Sequence, residues 1–294
     1  MTTKTVTANK KSLLRQFREV GWKHIVAIAA IVVAIFPILY ILSASFVEDG
    51  GIGEAALFSS FTLANYVELF EDPSRPFGLW YWNTVYISMV TAILSVFISA
   101  TAAFAFSRLR FSGRRAGLMA LLLIQMFPSI LGLVAVYGIL ASLGNSIPVL
   151  GLNSHWGLIL AYLGGALGAG TYLIYGFFNT IPKELDEAAK IDGATHGQIY
   201  FGIILRLSGP ILAVMVLLNF IGTSSDFILA SIALNDPEKL TLATGLRAFI
   251  SDPYSKDWSL FGAGAILAAL PIVILFLFLQ KYIVSGLTGG AVKG

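Results

Sequence analysis

The chain has 294 residues, of which 57% are hydrophobic and only 12% charged, with a formal net charge of +3 and no cysteine. Soluble domains carry about 25% charged residues, so these few charges cannot cover a globular surface; a water-soluble enzyme and a disordered chain are both excluded, and an integral membrane protein with several spans remains. Without cysteine, disulfides, thiolate metal sites and cysteine nucleophiles are excluded as well.

Residues 1–24 form a basic segment with Lys4, Lys10, Lys11, Arg15, Arg18 and Lys23. A bilayer-spanning helix needs about 20 mostly apolar residues, and the first such run is Ile25 to Val47. Ser43, Ala44 and Ser45 near its end mimic a signal-peptide cleavage pattern. The apolar run is too long for a signal-peptide core, so it reads as an uncleaved anchor. Residues 48–83 follow as the longest external loop, with Pro73 and Pro76 and then Trp80 and Trp82 placed at the membrane interface.

Five more apolar runs follow: Thr84 to Phe106, Ala116 to Leu143, Trp156 to Phe178, Leu207 to Leu234 and Leu260 to Val284. The chain is therefore expected to be all-α and polytopic, with a six-helix transmembrane domain over residues 25–284 and a short tail over 285–294. Charge sets the orientation. The N-terminal segment, the loop after span two (Arg108, Arg110, Arg114, Arg115), the loop after span four (Lys183, Lys190, Arg206) and the C-terminal end (Lys281, Lys293) hold fifteen of the nineteen cations. By the positive-inside rule that side is cytoplasmic, and both termini lie on it.

Polar residues inside spans are candidates for function. In span five, Asn219, Thr223 and Asp226 are spaced i, i+4, i+7 and share one helix face. Asp226 is the one acid within a span. Gln125, Ser129 and Gly132 repeat the spacing in span three, and Thr84, Ser88, Thr91, Ser95 and Ser99 run down span two. Such stripes either line a watery path able to bond sugar hydroxyls or permit close helix packing. Span five, with its acid, reads as a substrate path that also includes Gln125; span two reads as packing. Gly164 and Gly168 read as a small-residue packing pair. The three histidines have no metal-ligand spacing, no phosphate-binding loop is present, and no basic array interleaved with aromatics points to nucleic acid.

The cytoplasmic loop 179–206, between spans four and five, is the most informative segment. Pro182 suits a helix start, and Glu184, Asp186 and Glu187 load the first turn with negative charge. Ala188, Ala189 and Ile191 continue the helix, and Gly193 supplies the permissive backbone that ends it. Taken alone, this is an amphipathic connector with a glycine cap.

The run EAAKIDGATHGQIY, with Glu187, Ala188, Ala189, Asp192, Gly193 and Ala194, resembles the EAA loop of ABC importer permeases. Tyr200 stands where that pattern has Phe. Arg206 stands where it has Pro, with Pro210 four residues later, which leaves the bend into span five open. IQMFPSILGLVAVYGIL, GLNSHWGLILAYLGG and the ending GLTGGAVKG extend the resemblance to the maltose-type carbohydrate permeases. The resemblance implies a non-enzymatic transport subunit of a bacterial or archaeal inner membrane, half of a translocation pathway for a di- or oligosaccharide. It further implies a second permease subunit, two copies of an ATPase that hold ATP and magnesium, an extracytoplasmic sugar-binding protein, and contact with membrane lipid. The EAA helix would couple to the ATPase through Glu187 and its turn at Gly193, and the tail Gly286 to Gly294 would reach toward the ATPase dimer. The rival is a secondary transporter with Asp226 as a proton or cation site; such folds carry internal repeats and broken midplane helices, and neither is evident in the sequence.

Overall fold

In the computed structural model, residues 20–47, 57–251 and 256–291 are described; residues 1–19 of the N-terminal basic segment and 292–294 of the tail fall outside them. All regular structure among the described residues is helical.

Helix α1 (Trp22–Ser45) is almost wholly apolar and buries only Ser43 and Ser45. Its C-terminal carbonyls are collected by the short α2 (Ala64–Glu71), where the Asn65 amide donates to the carbonyls of Ser45 and Val47, both at 2.9 Å. The expected external loop 48–83 thus contains a helix of its own, and its last residues already belong to α3 (Phe77–Arg108).

α3 is the axis of the fold. At about 1.5 Å per residue its 32 residues run about 48 Å, longer than a bilayer core is thick. It contributes to each of three buried clusters. Phe77 and Trp80 pack with Leu242, Phe249 and Leu260 at one end. Ile87 packs with Leu140, Leu158 and Ala230 midway. Val96, Ala103 and Phe104 pack with Ile174, Phe178, Ile199 and Ile204 at the other end. Trp80 is therefore a core residue and not an interfacial anchor: it is buried and its indole donates to the Pro237 carbonyl at 2.7 Å, whereas Trp82 is exposed.

Spans three, four and five are interrupted, against the expectation of continuous helices. Span three is α4 (Arg114–Gln125), a break at Pro128, a 3-10 turn and α5 (Leu133–Ser146). Pro128 has no N–H to give and forces the residue before it out of the helical region. Span four is α6 (His155–Leu163) and α7 (Ala169–Phe178), separated by the run Gly164 to Gly168. Gly164 and Gly168 are thus the break itself. The Gln125 side-chain amide of α4 lies directly against Gly168 at this break. Into span five the chain runs through α8 (Glu184–Ile191) and α9 (His196–Leu207), then turns by 79° into α10 (Gly209–Ser224). The turn sits at Ser208, just ahead of Pro210, which locates the bend that Arg206 left open. A second break precedes α11 (Ile228–Ala233). α12 (Leu242–Gly245) is a single turn against Trp80. The last helix, α13 (Trp258–Ala291), lies against α1, where a Cβ on Gly262 would come within 3.2 Å of the Ile41 carbonyl.

By length and hydropathy, Trp22–Ser45, Phe77–Arg108, Ser129–Ser146 and Trp258–Ile283 each suffice to cross a bilayer, and the bent pair α9–α10 makes a fifth if taken as one span.

Candidate functional site

Two polar regions lie along α3. The first is at its Arg108 end. α8 begins with Glu184, Asp186 and Glu187 in the first turn, where the free N–H groups favour negative charge. It stops by geometry: Gly193 has φ +82, the Ala194 N–H reaches the Ala189 carbonyl at 2.9 Å, and the Gly193 N–H reaches the Lys190 carbonyl at 3.0 Å. These two bonds form a Schellman cap, which requires a left-handed residue at this position. Thr195 then starts α9 with a capping box, its N–H donating to the Gln198 side chain at 2.7 Å and its hydroxyl accepting from the Gln198 N–H. Two helices are thus joined by a fixed corner of four residues.

The faces of α8 differ. Ala189 and, just past the cap, Ala194 pack on the cluster formed by α3, α7 and α9. Ala188, Asp192 and Gly193 are exposed, and Ile191 is 87% exposed beside a half-exposed Leu185. Glu187 is exposed too, on the wall of a cleft of about 710 Å³ that it shares with Arg110, Arg114, Lys190 and His196.

Asp186 is the exception on this helix. It is buried, and its Oδ2 lies 2.6 Å from Nε of Arg108 at the last turn of α3; the two side chains are 7% and 5% exposed. Arg108 also donates through Nη2 to the Ile181 carbonyl at 2.9 Å. Nη1 of Arg108 and Oδ1 of Asp186 are buried with no hydrogen-bond partner. In the sequence both residues read as ordinary charges, one for orientation and one for the helix dipole. The available signal was spacing: Asp186 is three residues from Ala189 and shares its inner face, and an acid on a buried face requires a cation.

The second region is a cavity of about 400 Å³ midway along α3. Thr91 and Ser95 of α3, Tyr162 of α6 and Asn219, Thr223 and Asp226 of span five line it. The three span-five residues are therefore together. Gln125 is elsewhere, exposed beside Gly168, and the break at Pro128 takes Ser129 and Gly132 off any common helix face with it. Asp226 serves the fold directly. Its Oδ1 accepts from the Tyr162 hydroxyl at 3.0 Å and from the N–H groups of Leu229 and Ala230 at 3.0 and 3.1 Å. It caps α11 after the break, satisfying donors that would otherwise be open. The Asn219 amide donates to the Met215 carbonyl at 2.8 Å. Thr91 Oγ1 is buried without a partner. The polar stripe of α3 thus divides: Thr84 and Ser99 are used in packing, accepting from the Leu242 N–H and donating to the Ala166 carbonyl, while Thr91 and Ser95 face the cavity.

Among the described residues no cluster of His, Asp and Glu suits a metal ion.

Residues 95–289 match the family described as binding-protein-dependent transport system inner membrane component. The chain is 42% identical over 283 residues to the maltose/maltodextrin transport system permease protein MalG of Vibrio vulnificus, covering 92% of this chain and 95% of that protein. It is 41% identical over 268 residues to the maltodextrin transport system permease protein MdxG of Bacillus subtilis, covering 90% and 92%. The fold matches a chain of a bacterial ABC transporter involved in the import of the acidic polysaccharide alginate, with a TM-score of 0.76 at 24% identity over 91% of this chain and 98% of that one. A polytopic helical chain with an EAA-type corner at one end and a polar cavity midway thus belongs to the binding-protein-dependent inner membrane components, the permease family of ABC importers, and is similar to its maltose/maltodextrin members.

Proposed function

We propose that this chain is one permease half of an ATP-driven importer for a di- or oligosaccharide, with maltodextrins as the first candidate and trehalose or other glucosides next. In this reading it crosses a bacterial or archaeal inner membrane six times with both termini in the cytoplasm. It pairs with a second permease subunit, receives sugar from an extracytoplasmic binding protein, and takes its energy from two ATPase subunits that hold the nucleotide. The observation that carries the reading is α8: a short helix fixed to the body through its inner face, cornered at Gly193, and presenting exposed Leu185, Ala188 and Ile191 beside Glu187. An isoleucine held in water gains by burial, at about 25 cal/mol per Å² of apolar surface, so this face is built to be covered. The occupant is the ATPase subunit, with Glu187 meeting a basic group at the contact.

The cavity on α3 and span five is the sugar path on this side of the heterodimer. Its hydroxyl, amide and carboxylate groups suit sugar hydroxyls, and Asp226 acts there as the cap of α11 and not as a proton carrier. Helix breaks do occur here, in three spans, but they serve a secondary carrier and an importer equally; the family membership favours the importer. The test is assembly: Ile191→Glu and Glu187→Lys are each expected to cut the ATPase that co-purifies with the tagged permease while the chain still inserts. Normal co-purification in both would leave α8 a plain connector.

A further inference from the structure

The buried pair at the end of α3 bears on how a push on α8 would enter the membrane. Resting on the reading of α8 as the docking helix, we propose that Arg108 and Asp186 are positioning residues that carry the motion of α8 into α3 and so move the Thr91–Ser95 wall of the cavity.

Three observations converge on it. First, Asp186 to Arg108, at 2.6 Å, is the one side-chain ion pair among the described residues that joins two helices; the other two pairs, Arg75–Asp72 and Lys239–Asp236, are local and exposed. The apolar contacts of Ala189 and Ala194 can slide, whereas a charge withdrawn from water holds to its counterion. Second, Arg108 also grips the Ile181 carbonyl, on the segment that leads into α8, so one guanidinium holds both the helix and its approach. Third, α3 is continuous from Arg108 back through Ser95 and Thr91, with no proline or glycine between them, so it moves as a rod; Thr91 lies about 25 Å from Arg108 at the helical rise. The facing wall, Asn219 and Thr223, is on α10, separated from α8 by the 79° turn. Motion of α8 through Arg108 therefore reaches the α3 wall directly, and the α10 wall only through the turn and through its packing on α3.

The pair is also unfinished. Oδ1 of Asp186 and Nη1 of Arg108 are both buried and both without hydrogen bonds. Arginine and carboxylate fit best as a two-bond fork, and this ion pair does not form one, since Nε of Arg108 makes no hydrogen bond either.

The test uses the full complex in lipid vesicles, with Thr91→Cys introduced in this cysteine-free chain as the reporter. The labelling rate of that thiol by a hydrophilic reagent is measured with and without a non-hydrolysable ATP analogue, and co-purified ATPase is quantified alongside. With the pair intact the rate is expected to change by at least about fivefold, the low end of coupling between distant sites. In Asp186→Asn and Arg108→Gln the ATPase still co-purifies and the nucleotide response is lost. An assembled Asp186→Asn complex with the full response overturns the proposal. If Asp186→Asn does not assemble, Arg108→Lys decides: it keeps the charge but loses the fork and the Ile181 bond, and its response must fall; an unchanged response overturns the proposal. Failure of the docking reading is seen separately, as normal ATPase co-purification with both Ile191→Glu and Glu187→Lys.

Discussion

The two ends of α3 are fastened by different chemistry. At the Phe77 end the ties are neutral and complete. The Trp80 indole donates to Pro237, the Asn83 amide donates to the carbonyls of Glu238 and Leu240 at 2.9 and 3.0 Å, and the Leu242 N–H donates to Thr84 at 2.7 Å. At the Arg108 end ties to neutral groups also occur, Arg108 to the Ile181 carbonyl and Thr101 to the Tyr200 hydroxyl, but α8 itself is held by one charged pair with polar atoms left open on both partners. Neutral, fully met hydrogen bonds fix a single arrangement. A charge pair short of its bonds holds firmly yet admits another geometry. One end of the rod is anchored and the other is steered.

Breaking either end outright should cost the most stability. Trp80→Ala removes a buried indole from the cluster of Phe77, Leu242 and Phe249 and leaves a cavity, about 3–5 kcal/mol for such a truncation. Thermal unfolding of the detergent-solubilised chain should show a clear drop in midpoint. Breaking the steered end by Asp186→Ala strands the Arg108 charge in the interior, a cost of about 3–5 kcal/mol when one partner of a buried pair is removed. Asp186→Asn, which keeps a polar partner, should lose less stability than Asp186→Ala on the same scan; equal losses would mean that a neutral amide cannot stand in for the carboxylate.

Asn83→Leu comes next. It leaves the Glu238 and Leu240 carbonyls without their donor, about 1–3 kcal/mol when buried acceptors go unmet. It should loosen the 237–242 segment, read as faster proteolysis there, with the nucleotide response of the Arg108 end unaltered. Gly193→Val is smaller in stability, about 1–2 kcal/mol per L-residue forced into the left-handed region. It should unmake the corner between α8 and α9 and lower sugar uptake while the chain still inserts.

The ends also differ in how far the sequence revealed them. The α8 corner was legible because its parts are local: acids in the first turn, a glycine that ends the helix, a restart within four residues. Asn219, Thr223 and Asp226 were found as one face because helical period governs them within α10 and just past its end. What failed to show was long-range. Trp80 and Trp82 are alike as letters, yet one is core and the other exposed, since α12 and the segment at Pro237 close over only one of them. Pro128 and the glycines at 164–168 were visible, but whether such residues kink a span or break it depends on neighbours such as Gln125. Arg108 and Asp186 lie 78 residues apart in number, and only the packing of α8 on the cluster around α3 brings them together.

Between the two ends sits Thr91, which sharpens the comparison because the fold makes no use of its hydroxyl. Oγ1 is buried without a hydrogen-bond partner, whereas Thr84 and Ser99 on the same helix each make a hydrogen bond to another element. Thr91→Val keeps the branched shape and removes only an unmet polar atom, and replacing such a group by an apolar isostere is neutral or slightly stabilising. The unfolding midpoint should therefore hold or rise. Thr84→Val, about two turns away on the same stripe, breaks the bond from the Leu242 N–H and should lower stability by about 1 kcal/mol. Transport should move the other way. If Thr91 turns its hydroxyl to the sugar when the wall shifts, its loss should raise the half-saturating sugar concentration by about fivefold, the worth of one hydrogen bond of about 1 kcal/mol, and Thr84→Val should leave that concentration unchanged. Paired uptake curves in vesicles decide it. A Thr91→Val curve that overlays the wild type would remove Thr91 from the sugar path and leave Ser95 as the remaining candidate on the α3 wall.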